Sequence, residues 1–241
     1  MLPMRASQGA SFPRSGHGAV RAIVKLYFDD AFVYCDINHT DYCGCESVPC
    51  INPKRTYSKN HDFGLRRPPK KPRGLRQHLE HHFRRRKVGG VPIIPTERYF
   101  IQYRSPVFAI ASNFKLHLSA YPDHNHRAGW EQYAFKDLFY WNRFIDKWVL
   151  GFPARARPPL YVSYESLLAD PHARVRDILK FHSVGPLDED RVEQVLQKAP
   201  VVPKHSISKF EFYDPDFFQK MEDATSGRLQ KLGLPSFKSE N

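Results

Sequence analysis

No stretch of this 241-residue chain approaches the roughly eighteen apolar residues of a membrane-spanning helix. Its opening, residues 1–8, is short and mixed and lacks the apolar core of a secretory signal, so the expected setting is soluble and cytoplasmic. No internal repeat is visible, which sets repeat architectures aside. Cysteine is scarce and crowded: Cys35, Cys43, Cys45 and Cys50 are all there is. Their spacing is not the paired C-x-x-C of a usual zinc site, so a single four-ligand metal, local disulfides and plain thiols all stay open. Acid is nearly missing from residues 66–87, where ten Lys and Arg face one Glu80 and account for all but three of the twelve net positive charges. The chain is therefore a nearly balanced domain with one very basic insert. Such an insert attracts phosphate, sulfate, uronic acid or nucleic acid, or is a solvated loop.

What is present reads as one globular domain over residues 1–241, with a Cys-containing segment at 35–50 and the basic insert at 66–95. The chain is 41% hydrophobic and 14% aromatic, enough for a substantial core. Residues 9–14 read as the end of a strand entering a tight turn. Residues 1–10 are poor strand material, so that strand is expected to be short. Ala19, Val20, Ile23, Val24, Tyr27 and Phe28 then follow a helical spacing. Residues 35–60 read as irregular, and a short helix is expected at 75–86 between proline-rich flanks. Residues 98–103 and 160–164 read as strands, and 107–118 and 128–150 as helical. In the last of these, Tyr133, Leu138, Trp141, Phe144, Ile145 and Trp148 read as core packing. Asp170 and Pro171 form a helix start, and Val175, Ile178, Leu179 and His182 give that helix one face. Strands alternating with helices indicate an α/β fold with a central, mainly parallel sheet.

The first chemical feature is the turn Ser11-Phe12-Pro13-Arg14-Ser15-Gly16-His17-Gly18. It sets two glycines, hydroxyls and an Arg where a helix begins. Unpartnered N–H groups and the helix dipole favour an anion there, and glycine lets the backbone come close. The second is Arg104, at a strand end, with Ser112 eight residues on. A following helix brings that Ser back after about two turns, and the planar guanidinium suits phosphate. No Lys followed by Ser or Thr closes the turn, which weighs against a P-loop kinase.

These features resemble PAPS-dependent sulfotransferases, PAPS being 3′-phosphoadenosine 5′-phosphosulfate. Residues 11–16 are similar to that family's 5′-phosphosulfate loop, Arg104 and Ser112 to its 3′-phosphate pair, and residues 161–168 to its Tyr-Glu-Asp-Leu segment. Lys59-Asn60-His61 is similar to its Lys-Thr-His. The resemblance implies a P-loop-type nucleotide fold in which Pro13, Arg14, Ser15, Gly16, His17, Gly18, Arg104, Ser112 and Tyr164 bind the nucleotide. It implies His61 as general base, with Lys59 and Arg14 balancing charge, and Asp62, His39 and His81 in reserve. The sulfuryl group passes in line to a hydroxyl or amine, adenosine 3′,5′-bisphosphate leaves, and the scheme needs no metal. The sequence departs at His17, where the family often has a hydroxyl, and in lacking the C-terminal Arg-Lys-Gly, for which residues 204–209 are the stand-in. The basic insert favours a carbohydrate or other anionic acceptor. A small alcohol or phenol is the alternative, and a non-catalytic nucleic-acid binder is the competing class, although it leaves the ordered motifs unexplained.

Overall fold

The computed structural model describes residues 2–36, 50, 52–62, 90–199 and 206–240. Its strands are β1 (Ser7–Ser11), β2 (Tyr34–Asp36), β3 (Tyr57–Asn60), β4 (Tyr99–Tyr103) and β5 (Leu160–Ser163). They form one sheet in the order β2-β3-β1-β4-β5, with every neighbour parallel. The helices are α1 (His17–Phe28), α2 (Pro106–Leu118), α3 (Arg127–Ile145), α4 (Tyr164–Ala169), α5 (Pro171–His182), α6 (Glu189–Lys198), α7 (Pro215–Asp223) and α8 (Ser226–Leu232). This is the α/β architecture with a parallel sheet that the sequence implies. No helix among the described residues is long and apolar enough to cross a membrane.

A parallel sheet buries both faces, so alternate side chains of each strand enter different cores. Ala10, Tyr99, Ile101 and Tyr103 pack with residues of α2, α3 and α7 on one face. Tyr57, Phe100 and Val162 pack with residues of α1, α5 and α6 on the other. Leu138, Trp141, Phe144, Ile145 and Trp148 are core, as their spacing implies, whereas Phe135 and Phe139 of α3 are exposed. Trp130, Trp141 and Trp148 are fully buried, each contributing about 2–3 kcal/mol by burial. After α3 the chain widens into a π-turn at Asp146–Leu150. The start of α5 follows its sequence signal: Asp170 accepts from Ala173 N at 2.9 Å. Asp188 caps α6 in the same way, accepting from Arg191 N at 3.1 Å.

Two expectations are corrected. Strand β1 is not short beside its neighbours: its five residues make it as long as any described strand, it is the middle strand, and all five are buried. Its polar side chains are tied to neighbours. Gln8 donates to Glu97 at 3.2 Å and accepts from Ser58, and Ser7 Oγ meets His182 Nδ1 at 3.1 Å. Gly9 is needed because a Cβ there would stand 2.7 Å from the Tyr57 hydroxyl. The segment 35–60 is not wholly irregular either, since it contains most of β2 and all of β3. These strands are three and four residues long and carry Ser, Lys, Asn and Asp. Their pairing with β1 and with each other decides their conformation. Cys35 lies on β2. Cys43 and Cys45, the proposed helix at 75–86, and the reserves His39 and His81 lie outside the described residues.

His182 closes α5 with its ring wholly buried, and Nε2 has no hydrogen-bond partner among the described residues. Burial, with a smaller push from Arg98, lowers its pKa from 6.5 to about 3. Below pH 6.5 the unfolded chain therefore gains a proton that the fold refuses. This group's share of stability is complete above pH 6.5 and is lost by about 1.4 kcal/mol per pH unit down to about pH 3. Denaturant unfolding at stepped pH should show that slope, and a His182→Gln variant should lack it.

Candidate functional site

The site stands at the carboxyl ends of the strands, where open α/β sheets bind ligands. Where β1 ends, the chain turns through Arg14 at φ 65° and Gly16 at φ 83°, both left-handed. An Arg there costs about 1 kcal/mol. Left-handed residues alternating with ordinary ones are the backbone habit of an anion-binding nest. Glycine is required at position 16, because a Cβ would meet the Tyr164 ring at 3.0 Å. At Gly18 a Cβ meets no atom within 4 Å, so space does not require glycine there. Gly16 caps α1 without a side chain, and no acid lies in the first turn. Ser15 is buried, and its hydroxyl has no hydrogen-bond partner among the described residues. Pro13 leads into this turn, half-buried beside the exposed Arg14.

The second feature of the sequence comes to the same place. Arg104 ends β4, and α2 carries Ser112 back to the turn, where its Oγ accepts from Arg14 Nε at 2.9 Å. Arg104 is buried and lies 3.9 Å over the ring of Tyr164 and 5.5 Å over that of Phe108. Its carbonyl accepts from Trp141 Nε1 at 2.8 Å, and Glu165 Oε1 accepts from Ser105 N at 2.8 Å. The strap around Arg104 is thus pinned from α3 and from α4. Burial raises the Tyr164 pKa, against the pull of Arg104, so the phenol stays protonated. Arg14, Arg104, Phe108, Ser112, Lys115 and Lys209 line a cavity of about 590 Å³. Lys209 belongs to the expected stand-in segment. Lys204 and His205 lie outside the described residues.

His61 follows β3. Its Nδ1 donates to Ser11 O at 2.6 Å, and Nε2 accepts from Lys59 Nζ at 2.7 Å. The carbonyl selects the tautomer and fixes the ring. Lys59 and His61 therefore meet the end of β1, three residues before Arg14. Asp62 is occupied otherwise. It is buried, and its carboxylate accepts from Val91 N at 2.8 Å, Lys147 Nζ at 2.7 Å and Trp148 Nε1 at 2.9 Å. These bonds give it a structural task rather than a base's.

His17 opens α1, but its imidazole turns away from the cavity toward β4 and β2. Nδ1 donates to Gln102 Oε1 at 3.0 Å, and Nε2 accepts from Tyr34 Oη at 2.7 Å. Gln102, Tyr34 and Lys115 were not singled out in the sequence, and Glu165 was there only as a member of the segment 161–168. Only Gln102 carried a usable signal: it is a lone amide in an otherwise aromatic and aliphatic strand, two residues before Arg104.

A family model described as the sulfotransferase domain matches residues 10–205, more than half of the chain. A search of the curated proteins found no match.

The Asp62 arrangement yields a stability prediction. Asparagine tolerates the left-handed φ of 55° at this position, so Asp62→Asn removes charge without backbone conflict. Its unfolding free energy should fall by about 2–3 kcal/mol. That is below the cost of splitting a fully buried pair, because Lys147 keeps some contact with water. Chemical denaturation measures this, and an unchanged stability would contradict the structural role.

Proposed function

The chain belongs to the sulfotransferase-domain family and transfers sulfuryl groups with PAPS as donor; on that premise we propose that its acceptor is a hydroxyl or amine of a carbohydrate. The observation that carries the site assignment is the convergence of Arg14, Arg104 and Ser112 on one cavity, beside a buried Ser15 hydroxyl that has no partner among the described residues. An anion fits this place on independent grounds. No described side chain caps the α1 N-terminus, the turn is left-handed twice, and the lining carries four cationic side chains.

In this reading the turn at Ser15 to Gly18 and the Arg14 guanidinium hold the 5′-phosphate side of the nucleotide. Arg104 and Ser112 hold the 3′-phosphate, with Lys209 adding charge from the C-terminal side. Tyr164 flanks the nucleoside through its contact with Arg104. PAPS supplies the sulfuryl group and departs as adenosine 3′,5′-bisphosphate. His61 takes the proton of the acceptor hydroxyl at Nε2, its ring steadied by the Nδ1–H bond to Ser11. For that, Lys59 must give up its bond to Nε2, and its ammonium is then available to the charge that builds on the bridging oxygen. Sulfuryl transfer resembles phosphoryl transfer in relying on positioning and charge stabilisation.

The carbohydrate acceptor is supported by the basic run at 66–87, which attracts acidic sugars over a range that salt shortens. Transfer of labelled sulfate from PAPS to a panel of polysaccharides, lipids and phenols tests it. The expected outcome is incorporation into acidic polysaccharide that weakens with salt, whereas labelling confined to phenols would refute the acceptor.

The roles also separate by variant. His61→Ala should lose about 10²- to 10⁴-fold in turnover while binding adenosine 3′,5′-bisphosphate normally. Arg104→Ala should bind that nucleotide about 10- to 100-fold more weakly. Calorimetry and turnover on the same preparations distinguish the two.

A further inference from the structure

Position 17 is where the resembling family often carries a hydroxyl for the phosphate, yet the side chain here is engaged elsewhere. Its ring lies 5.9 Å from the rings of both Tyr34 on β2 and Tyr57 on β3. Its Nδ1–H donates to Gln102 Oε1, and the Tyr34 hydroxyl donates to Nε2. Gln102 is wholly buried on β4 and holds the turn at two points. Its carbonyl accepts from Phe12 N at 3.0 Å, and its Nε2 donates to Ser15 O at 3.5 Å, the long end of the range. Because His17 takes the oxygen of the Gln102 amide, the nitrogen is left facing Ser15. The chain of contact runs from β2 through His17 and Gln102 to Ser15, whose buried hydroxyl has no partner among the described residues.

We propose that His17 is a positioning residue for the nucleotide's 5′-phosphate, acting through Gln102 to set the turn from Phe12 to Gly16. It rests on the sulfotransferase reading above. In this account the imidazole replaces a direct contact with an indirect one. The hydroxyl contact is given up, and the turn is held in its binding shape before the nucleotide arrives. Such preorganisation raises affinity by lowering the ordering cost of binding.

The side chains that can substitute for His17 follow from the geometry. Asparagine offers an N–H close to the place of imidazole Nδ1. Serine restores the family's hydroxyl but is too short to reach Gln102. The test is calorimetric titration of adenosine 3′,5′-bisphosphate into the wild-type chain and into His17→Ala, His17→Ser, His17→Asn, Gln102→Met and the double variant His17→Ala with Gln102→Met. Thermal melts set the folded fraction of each. Per folded molecule, His17→Ala and His17→Ser should each lose about tenfold in affinity, and His17→Asn should recover most of it. The double variant should be no weaker than the worse single one, since both changes break the same connection. Wild-type affinity in His17→Ser, or losses that add independently in the double variant, would overturn the proposal alone. A wild-type chain that does not bind the nucleotide would overturn the sulfotransferase reading and this proposal together.

Discussion

Strand β1 runs through the middle of a parallel sheet with both faces covered, so its side chains must be small or hydrogen-bonded. That constraint orders the rest of the molecule. Small residues let β3 and β4 close on either side, and Gly9 leaves room for the Tyr57 ring. The strand can then end deep between its neighbours. Its last carbonyl and hydroxyl, on Ser11, receive His61 from β3, while Gln102 on β4 receives Phe12 and Ser15. The turn that follows is gripped from both sides before it enters α1.

The electrostatics follow from that arrangement. Arg104 is buried at the end of β4, which is costly for a charge without compensation. The protein meets part of the cost with the faces of Tyr164 and Phe108 and with the nearby Glu165 strap. The cavity beside it gathers Arg14, Lys115 and Lys209, and no acidic side chain among the described residues lines it. A site of this kind is most stable with an anion inside. Arg14 keeps its left-handed backbone beside this cavity, and its guanidinium is tied to Ser112.

Much of this was legible in the sequence, and the parts that were not have a common cause. The helices α1 and α5 announce themselves by apolar spacing, and the start of α5 by Asp170 at the cap and Pro171 after it. Arg104 and Ser112 are recognisable because a helix converts their separation into proximity. Strands β2 and β3 are short and polar, and only partners distant in sequence make them strands. Gln102 stands out in the sequence as a lone amide in β4, but what it holds is set only when β4 lies against β1. His17 illustrates the opposite case. Its departure from the family pattern was plain, but the direction of its ring depends on Tyr34 and Gln102, residues 17 and 85 positions away.

The central claim is a site built for two phosphates, one at the turn between β1 and α1 and one between Arg104 and Ser112. Titration of the purified chain with adenosine 3′,5′-bisphosphate and, separately, with adenosine 5′-monophosphate tests it most directly. The account predicts that the bisphosphate binds at least about tenfold more tightly, because only it engages both cationic groups. Equal affinity for the two nucleotides would contradict it.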